Sequence, residues 1–194
     1  MTHILIAEDH PICAAMVTQA VRSRDKYAMI SEVASLQETL SHLKNSDVDL
    51  LVLDLVLTDS SGMSTLACVR VESPEVPVVI FSGSDDHRVT RQAYILGARA
   101  VISKAASVAA LTSTIFAVLN GDQPGREFLS EDEAAPLFDG PLRILPSLLR
   151  GSSNREIAQE LGLSEATVKR HLVVIYRALG VNSRSQAMVE LQSR

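Results

Sequence analysis

The stretch LLVLD, residues 50–54, decides how the first part of the chain is interpreted. Its apolar residues run without strict alternation, which is typical of a strand covered on both faces in a parallel sheet. Short apolar runs of the same kind lie at His3–Ala7, Ala28–Val33, Val78–Phe81 and Ala100–Ile102. Together they predict a five-stranded parallel sheet.

The segments between these runs have helical spacing. The apolar positions are Ile12, Met16 and Ala20, then Leu36, Leu40 and Leu43, and finally Val108, Leu111, Ile115, Val118 and Leu119. Alternation of strand and helix over residues 1–120 predicts an α/β doubly wound domain.

Composition indicates a cytoplasmic protein with no membrane partner. The chain has 194 residues and is 46% hydrophobic but only 4% aromatic, so its core is built mainly from Val, Ile, Leu and Ala. No apolar run approaches the ~20 residues that cross a bilayer, and two carboxylates come too early for a signal peptide. Cys13 and Cys68 have no metal-site spacing, so we expect two small buried residues.

Charge divides the chain into three parts. The net charge is -5, yet residues 141–194 carry 8 Lys or Arg against 4 Asp or Glu. Gly, Pro and acidic residues predict a linker at 121–137, between a first domain at 1–120 and a small all-α domain at 138–194. The basic C-terminal part makes nucleic acid a candidate partner, although a solvated basic face has the same charge.

Acidic side chains follow two of the predicted strands. Glu8 and Asp9 follow the first strand and Asp54 follows the third. Because the carboxyl ends of parallel strands meet at one edge, these groups would repel one another unless a cation joined them, and oxygen ligands suit Mg²⁺. Ser82 and Lys104 follow the fourth and fifth strands. Singly, each is more often a plain surface residue, but together they predict a phosphoryl receptacle with Asp54 as nucleophile.

This part of the chain resembles the response-regulator receivers, whose fold is flavodoxin-like. The matching motifs are IAEDHPI, LLVLDLVLTDSSGM, VVIFSG and GARAVISK. The resemblance implies phosphorylation of Asp54 by a sensor histidine kinase, with Ser82 and Lys104 as phosphate contacts. It also implies Mg²⁺ held by Glu8 or Asp9, by Asp54 and by the backbone carbonyl of Val56.

Two positions depart from the family pattern. Val101 stands three residues before Lys104, where the family usually has an aromatic residue that moves when the Ser or Thr turns toward the phosphate. Val101 cannot repeat that motion in the same form. Thr58 replaces a common proline, which we expect to matter little.

A pair of helices is predicted over residues 153–180. Asn154 can cap a helix Arg155–Leu161, Gly162 allows a tight turn, Ser164 caps the next helix and Gly180 ends it. Val168, Leu172, Ile175 and Leu179 form the inward face of that second helix.

The remaining surface of the second helix carries Lys169, Arg170, Val173 and Arg177. A lone helix of this kind is more often an ordinary amphipathic helix with a basic face. The short helix, glycine turn and capped basic helix together favour a helix-turn-helix that enters the major groove.

The stretch GSSNREIAQELGLSEATVKRHLVVIYRALGVNSRSQA resembles the LuxR/NarL-type DNA-binding domain. The resemblance implies base contacts from Lys169, Arg170 and Val173. It implies phosphate contacts from Thr167, Arg177 and Arg184, with Arg155 a weaker candidate, and leaves His171 either a packing or a recognition residue. Upstream, Pro146 falls inside the expected first helix, so we expect that helix to be shortened, kinked or restarted there.

These features favour a non-enzymatic transcriptional response regulator that binds double-stranded DNA, is phosphorylated on Asp54 and is a homodimer when active. A second hypothesis keeps the fold but replaces the phosphate switch with constitutive dimerisation or a partner protein. A third, a phosphohydrolase using Asp54, lacks the usual second acid because position 56 is Val.

Overall fold

The computed structural model describes residues 1–124 and 142–192 of the chain. Its main sheet has five strands, all parallel, in the order β2-β1-β3-β6-β7. Their bounds are β1 His3–Ala7, β2 Met29–Val33, β3 Leu50–Leu53, β6 Val78–Ser82 and β7 Ala100–Ser103. The predicted doubly wound sheet is therefore confirmed.

A short antiparallel hairpin, which the sequence did not predict, lies between β3 and the next helix. Its strands are β4 Val56–Leu57 and β5 Ser60–Ser61. The Asp59 carboxylate in its turn accepts hydrogen bonds from the backbone nitrogens of Leu36, at 2.6 Å, and Gln37, at 3.0 Å. The hairpin thus ties the segment after Asp54 to the start of a neighbouring helix.

Helices cover both faces of the sheet because its strands alternate apolar side chains above and below. Ile4, Ile6 and Val52 pack toward one face, and Leu5 and Leu51 toward the other. The helices are α1 Pro11–Arg22, α2 Leu36–Asn45, α3 Met63–Glu72, α4 His87–Ile95 and α5 Val108–Leu119. Of these, α1 and α5 cover the first face, while α2, α3 and α4 cover the second.

The described C-terminal residues, 142–192, form helices and no strand. A 3-10 turn at Leu142–Ile144 leads into α6 Leu145–Leu149, followed by α7 Asn154–Leu161, α8 Glu165–Ala178 and α9 Arg184–Gln192. Pro146 lies in the first turn of the five-residue α6, where its missing N–H has no helical partner to lose. The prediction that the helix restarts near Pro146 is confirmed.

The helical part packs directly on the α3–α4 side of the sheet domain. Buried residues of α6, α7, α8 and α9 form one hydrophobic core with those of α3 and α4. The Gln92 side chain of α4 donates to the backbone oxygen of Arg177 in α8, at 3.3 Å. The Cys68 thiol lies 3.7 Å from the backbone oxygen of Leu191 in α9. Helix α4 therefore contacts both the sheet and the helix predicted to read DNA.

Several sequence expectations need correction. Ile12 is 86% exposed, because the buried side of α1 is formed by Ala14, Val17, Ala20 and Val21. The N-cap of α7 is Ser153 rather than Asn154: its hydroxyl accepts from the Glu156 nitrogen, and the Glu156 carboxylate accepts from the Ser153 nitrogen. Both cysteines are half-buried rather than buried.

Most of the predicted linker, residues 125–137, lies outside the described residues. Across 1–124 and 142–192, no helix is both long enough and apolar enough to cross a membrane.

Candidate functional site

Three carboxylates meet at the carboxyl ends of β1 and β3. Ala7 and Leu53 are paired in register, so Glu8 and Asp54, the residues that follow them, lie side by side. The Asp54 nitrogen donates to the Ala7 oxygen at 2.9 Å, which fixes that proximity. Glu8 and Asp54 are buried, with 6% and 4% exposure, and Asp9 is half-buried. We call Glu8, Asp9 and Asp54 the acidic pocket.

Lys104 reaches the acidic pocket from the end of β7. Its Nζ lies 2.6 Å from Glu8 Oε2 and 2.7 Å from Asp54 Oδ2. Burial alone would lower the pKa of Lys104, but its hydrogen bonds to Asp54 and Glu8 outweigh burial, and the pKa is raised. The ammonium therefore keeps its charge and offsets the repulsion between the two buried carboxylates.

Ser82 and Val101 lie on β6 and β7, the two strands on one side of β3. Ser82 ends β6, pairs in register with Ser103 and is 5% exposed. Its hydroxyl accepts a hydrogen bond from the Ser84 nitrogen at 3.1 Å, so the hydroxyl holds the start of the β6–α4 loop. Val101 is half-buried in β7 and packs against the core on the α4 side.

The acidic pocket fits a divalent cation. Asp9 Oδ1 is buried yet accepts no hydrogen bond from the described residues, and such an oxygen needs a positive partner, whereas Glu8 Oε2 is already paired with Lys104 Nζ. Ligand atoms of Glu8, Asp9, His10 and Asp54 all lie within 4.8 Å of one another. Three of these four residues are carboxylates, and carboxylate oxygens are ligands that Mg²⁺ prefers. The Val56 nitrogen donates to Asp54 Oδ1 at 3.2 Å, while its carbonyl stays a predicted ligand.

Two residues at this site were missed by sequence reasoning. His10 places its ring against Glu8 and Asp9, with Nδ1 2.6 Å from Asp9 Oδ1. Tyr94 of α4 is 4% exposed; its hydroxyl accepts from the Val101 nitrogen at 3.2 Å and donates to the Pro124 oxygen at 3.1 Å. His10 could have been identified from the sequence, because it directly follows the acidic residues Glu8 and Asp9. Tyr94 belongs to no motif and could be found only from packing.

The helix-turn-helix forms at the predicted residues. Gly162 ends α7 in the left-handed region, with φ 68°, a conformation that glycine adopts without steric cost. The Ser164 hydroxyl then caps α8 by accepting from the Thr167 nitrogen at 3.1 Å. Val168, Leu172 and Ile175 are buried as predicted, and Leu179 is half-buried.

The candidate DNA-reading side chains stay open to solvent although α8 contacts α4. Lys169, Arg170, Val173 and Arg177 are all exposed, as is Arg155 in α7. His171, by contrast, is 6% exposed, and its pKa is lowered by burial and then by Arg170. The packing alternative for His171 is therefore confirmed.

Two predicted phosphate contacts make hydrogen bonds within the protein. The Thr167 hydroxyl is 2.9 Å from the Ser164 hydroxyl at the start of α8. The Arg184 guanidinium donates to the Ser152 carbonyl and, at 3.4 Å, to Asn154 Oδ1. In this arrangement Arg184 joins α9 to the start of α7.

Comparisons with known families match both parts of the chain. Residues 4–116 match the family described as response regulator receiver domain. Residues 142–191 match the family described as bacterial regulatory proteins, luxR family.

Among curated proteins, the glycerol metabolism activator of Pseudomonas putida is 33% identical, over 97% of this chain and 94% of that protein. The nitrate/nitrite response regulator protein NarP of Escherichia coli is 26% identical, over 96% of this chain and 92% of that one.

Solved structures agree in fold. The RcsB response regulator of Salmonella typhimurium matches with a TM-score of 0.59 and 15% identity, over 100% of this chain and 98% of that chain. A structure of RcsB bound to promoter rprA with the phosphomimetic BeF3⁻ matches with a TM-score of 0.59 and 16% identity, over all of both chains.

Proposed function

Because the chain belongs to the response regulators that join a receiver domain to a LuxR-type DNA-binding domain, we propose that phosphorylation of Asp54 by a sensor histidine kinase controls its binding to double-stranded DNA. The observation that carries this proposal is the acidic pocket itself, where Lys104 Nζ lies 2.7 Å from Asp54 Oδ2. The division into residues 1–120, 121–137 and 138–194 is part of the proposal.

The chemistry follows from the charges in the pocket. A carboxylate oxygen of Asp54 forms the new bond to phosphorus, while the bond to the donor breaks and its electron pair stays with the donor. Bound Mg²⁺, held by Glu8 or Asp9 and by Asp54, would supply positive charge to the phosphoryl oxygens. Lys104 then offers its ammonium to the phosphoryl group, and Ser82 offers its hydroxyl as a hydrogen-bond donor.

Helix α4 is the proposed route from the pocket to the DNA-binding domain. The Ser82 hydroxyl accepts from the Ser84 nitrogen in the loop that leads into α4, and a hydroxyl that turns toward a phosphoryl group gives up that contact. The same helix carries Gln92, which donates a hydrogen bond to the backbone oxygen of Arg177 in α8, and Tyr94, which donates one to the backbone oxygen of Pro124 at the start of the linker. A shift of α4 would loosen both contacts together.

DNA binding is proposed to use the exposed side of α8. Lys169, Arg170 and Val173 would contact bases, while Thr167 and Arg177 would contact phosphates. Arg184 would serve as a phosphate contact only by giving up its bonds to Ser152 and Asn154. Pairing of two chains on adjacent half-sites would raise affinity without new base contacts, so the active form is proposed to be a homodimer.

The test treats the full chain with a small phosphodonor and Mg²⁺ and measures Asp54 phosphorylation by mass spectrometry, DNA affinity by anisotropy and oligomeric state by sedimentation. We expect DNA affinity and dimer fraction to rise together, and the D54N variant to show neither change. Stoichiometric phosphorylation with unchanged affinity and unchanged oligomeric state would instead establish control by constitutive dimerisation or a partner protein.

A further inference from the structure

His10 faces the acidic pocket with both its backbone and its ring. The His10 nitrogen donates to Glu8 Oε1 at 3.0 Å. Its ring Nδ1 lies 3.1 Å from the same oxygen and 2.6 Å from Asp9 Oδ1. The ring is therefore held by two carboxylates that the proposed function already assigns to cation binding.

These spacings match those of atoms that share one metal ion. Ligand atoms bound at ~2.1 Å and at right angles lie ~3 Å apart, and opposite ones lie ~4.2 Å apart. The distances from His10 Nδ1 to Glu8 and Asp9 fall near the first value. With Asp54 included, all four ligand atoms lie within 4.8 Å, so a small contraction brings them around one ion.

The backbone holds His10 in this position before any ion binds. Pro11 follows it, and a residue before proline is restricted to extended conformations; His10 has φ -97° and ψ 110°. His10 is also the N-cap residue of α1, yet its side chain makes no capping hydrogen bond. The ring nitrogen is thus not used by the helix.

The carboxylates opposite the ring need positive charge. The Glu8 side chain is 1% exposed, and its Oε2 has Lys104 Nζ as a positive partner at 2.6 Å. Asp9 Oδ1 is buried, accepts no hydrogen bond from the described residues and faces His10 Nδ1. An ion between the ring and the carboxylates would give Asp9 Oδ1 a positive partner and take the place of the contact between His10 Nδ1 and Glu8 Oε1.

We propose that His10 Nδ1 is a direct ligand of the cation in the acidic pocket, which makes this a mixed nitrogen and oxygen site suited to first-row transition ions. Imidazole adds much more to the binding of such ions than to that of Mg²⁺, which prefers oxygen. The proposal rests on the proposed function only in placing a divalent cation in that pocket.

The direct test uses Mn²⁺ bound to the full chain as a spectroscopic probe. Electron spin echo envelope modulation detects nitrogen-14 in the first coordination sphere of Mn²⁺. We expect this modulation in the wild type, its loss in His10→Ala, and its retention in His87→Ala, a matched change at an exposed histidine on α4. Because His10 is mostly exposed, with 66% exposure of its side chain, we expect His10→Ala to fold normally, which circular dichroism checks.

Affinities give an independent measure. By calorimetry, we expect His10→Ala to weaken Co²⁺ binding about tenfold or more while Mg²⁺ binding changes less than about twofold. Bound Mn²⁺ that shows no nitrogen modulation in the wild type would overturn the assignment of His10 and leave the oxygen-only Mg²⁺ site standing. Failure of wild-type protein to bind any divalent ion, with D54N behaving identically, would overturn both.

Discussion

The Tyr94 hydroxyl accepts a hydrogen bond from the backbone nitrogen of Val101, at 3.2 Å. Val101 lies in β7, which is an edge strand of the sheet formed by the described residues. The hydroxyl also donates to Pro124 at the start of the linker. An aromatic residue is thus present beside position 101 but comes from α4 rather than from the strand.

Replacing Tyr94 by Phe removes both hydrogen bonds and keeps the ring. Since a partly buried N–H and a partly buried carbonyl each lose a hydrogen bond, we expect the free energy of unfolding to fall by ~1–3 kcal/mol. Release of the linker from α4 should also speed proteolysis just after Pro124. The matched variant Tyr27→Phe, at an 81% exposed position, should change neither. Equal behaviour of the two variants in urea unfolding and proteolysis would contradict the role given to Tyr94.

Lys104 keeps two buried carboxylates from repelling each other. Substitution by Ala removes the ammonium from Glu8 and Asp54. Breaking a buried ion pair generally costs ~3–5 kcal/mol. Because the Lys104 side chain is 17% exposed, we expect the free energy of unfolding to fall by an amount at or below the lower end of that range. The loss should shrink when a saturating divalent cation is added, because the ion replaces the missing charge. Thermal unfolding of Lys104→Ala with and without Mg²⁺ measures both effects. If Lys104→Ala and the wild type have the same unfolding midpoint without Mg²⁺, the stabilising role given to these ion pairs would be contradicted.

His171 should make stability depend on pH. Burial lowers its pKa in the folded protein, so the unfolded chain binds the proton first as pH falls below about 6.5. The free energy of unfolding contributed by this group is therefore fully present at higher pH and decreases as pH falls from there toward the lowered pKa. Urea unfolding from pH 7.5 to 5 should show a smaller pH dependence in His171→Gln than in the wild type. Identical slopes would contradict the prediction.

Arg170 should contribute to DNA binding without supporting the fold. It is exposed on α8, and loss of a base-contacting arginine costs ~1–3 kcal/mol of binding. Anisotropy titration of Arg170→Ala should show that loss with an unchanged melting temperature. Arg88→Ala, which removes an exposed guanidinium from the receiver, is the matched control. A similar loss of affinity in the control would point to general charge instead of recognition.

The strand ends at the site could be predicted because four of the five apolar runs are followed directly by a polar residue, as Leu53 is followed by Asp54. The hairpin at Val56–Leu57 and Ser60–Ser61 could not, since two-residue strands carry no periodicity. The exposed Ile12 and the Ser153 cap also differ from expectation. In α1 the buried side is formed by Ala14, Val17, Ala20 and Val21, of which the apolar spacing identified only Ala20.

The receiver pocket and the DNA-binding surface should be coupled reciprocally. If a phosphoryl mimic raises DNA affinity by some factor, DNA must raise the affinity for the mimic by the same factor. The most direct measurement is calorimetric titration of the full chain with BeF3⁻ and Mg²⁺, with and without a DNA duplex selected by the protein. We predict BeF3⁻ binding at least fivefold tighter with DNA present, and no BeF3⁻ binding by D54N. Equal BeF3⁻ affinity with and without DNA would contradict control of DNA binding through Asp54.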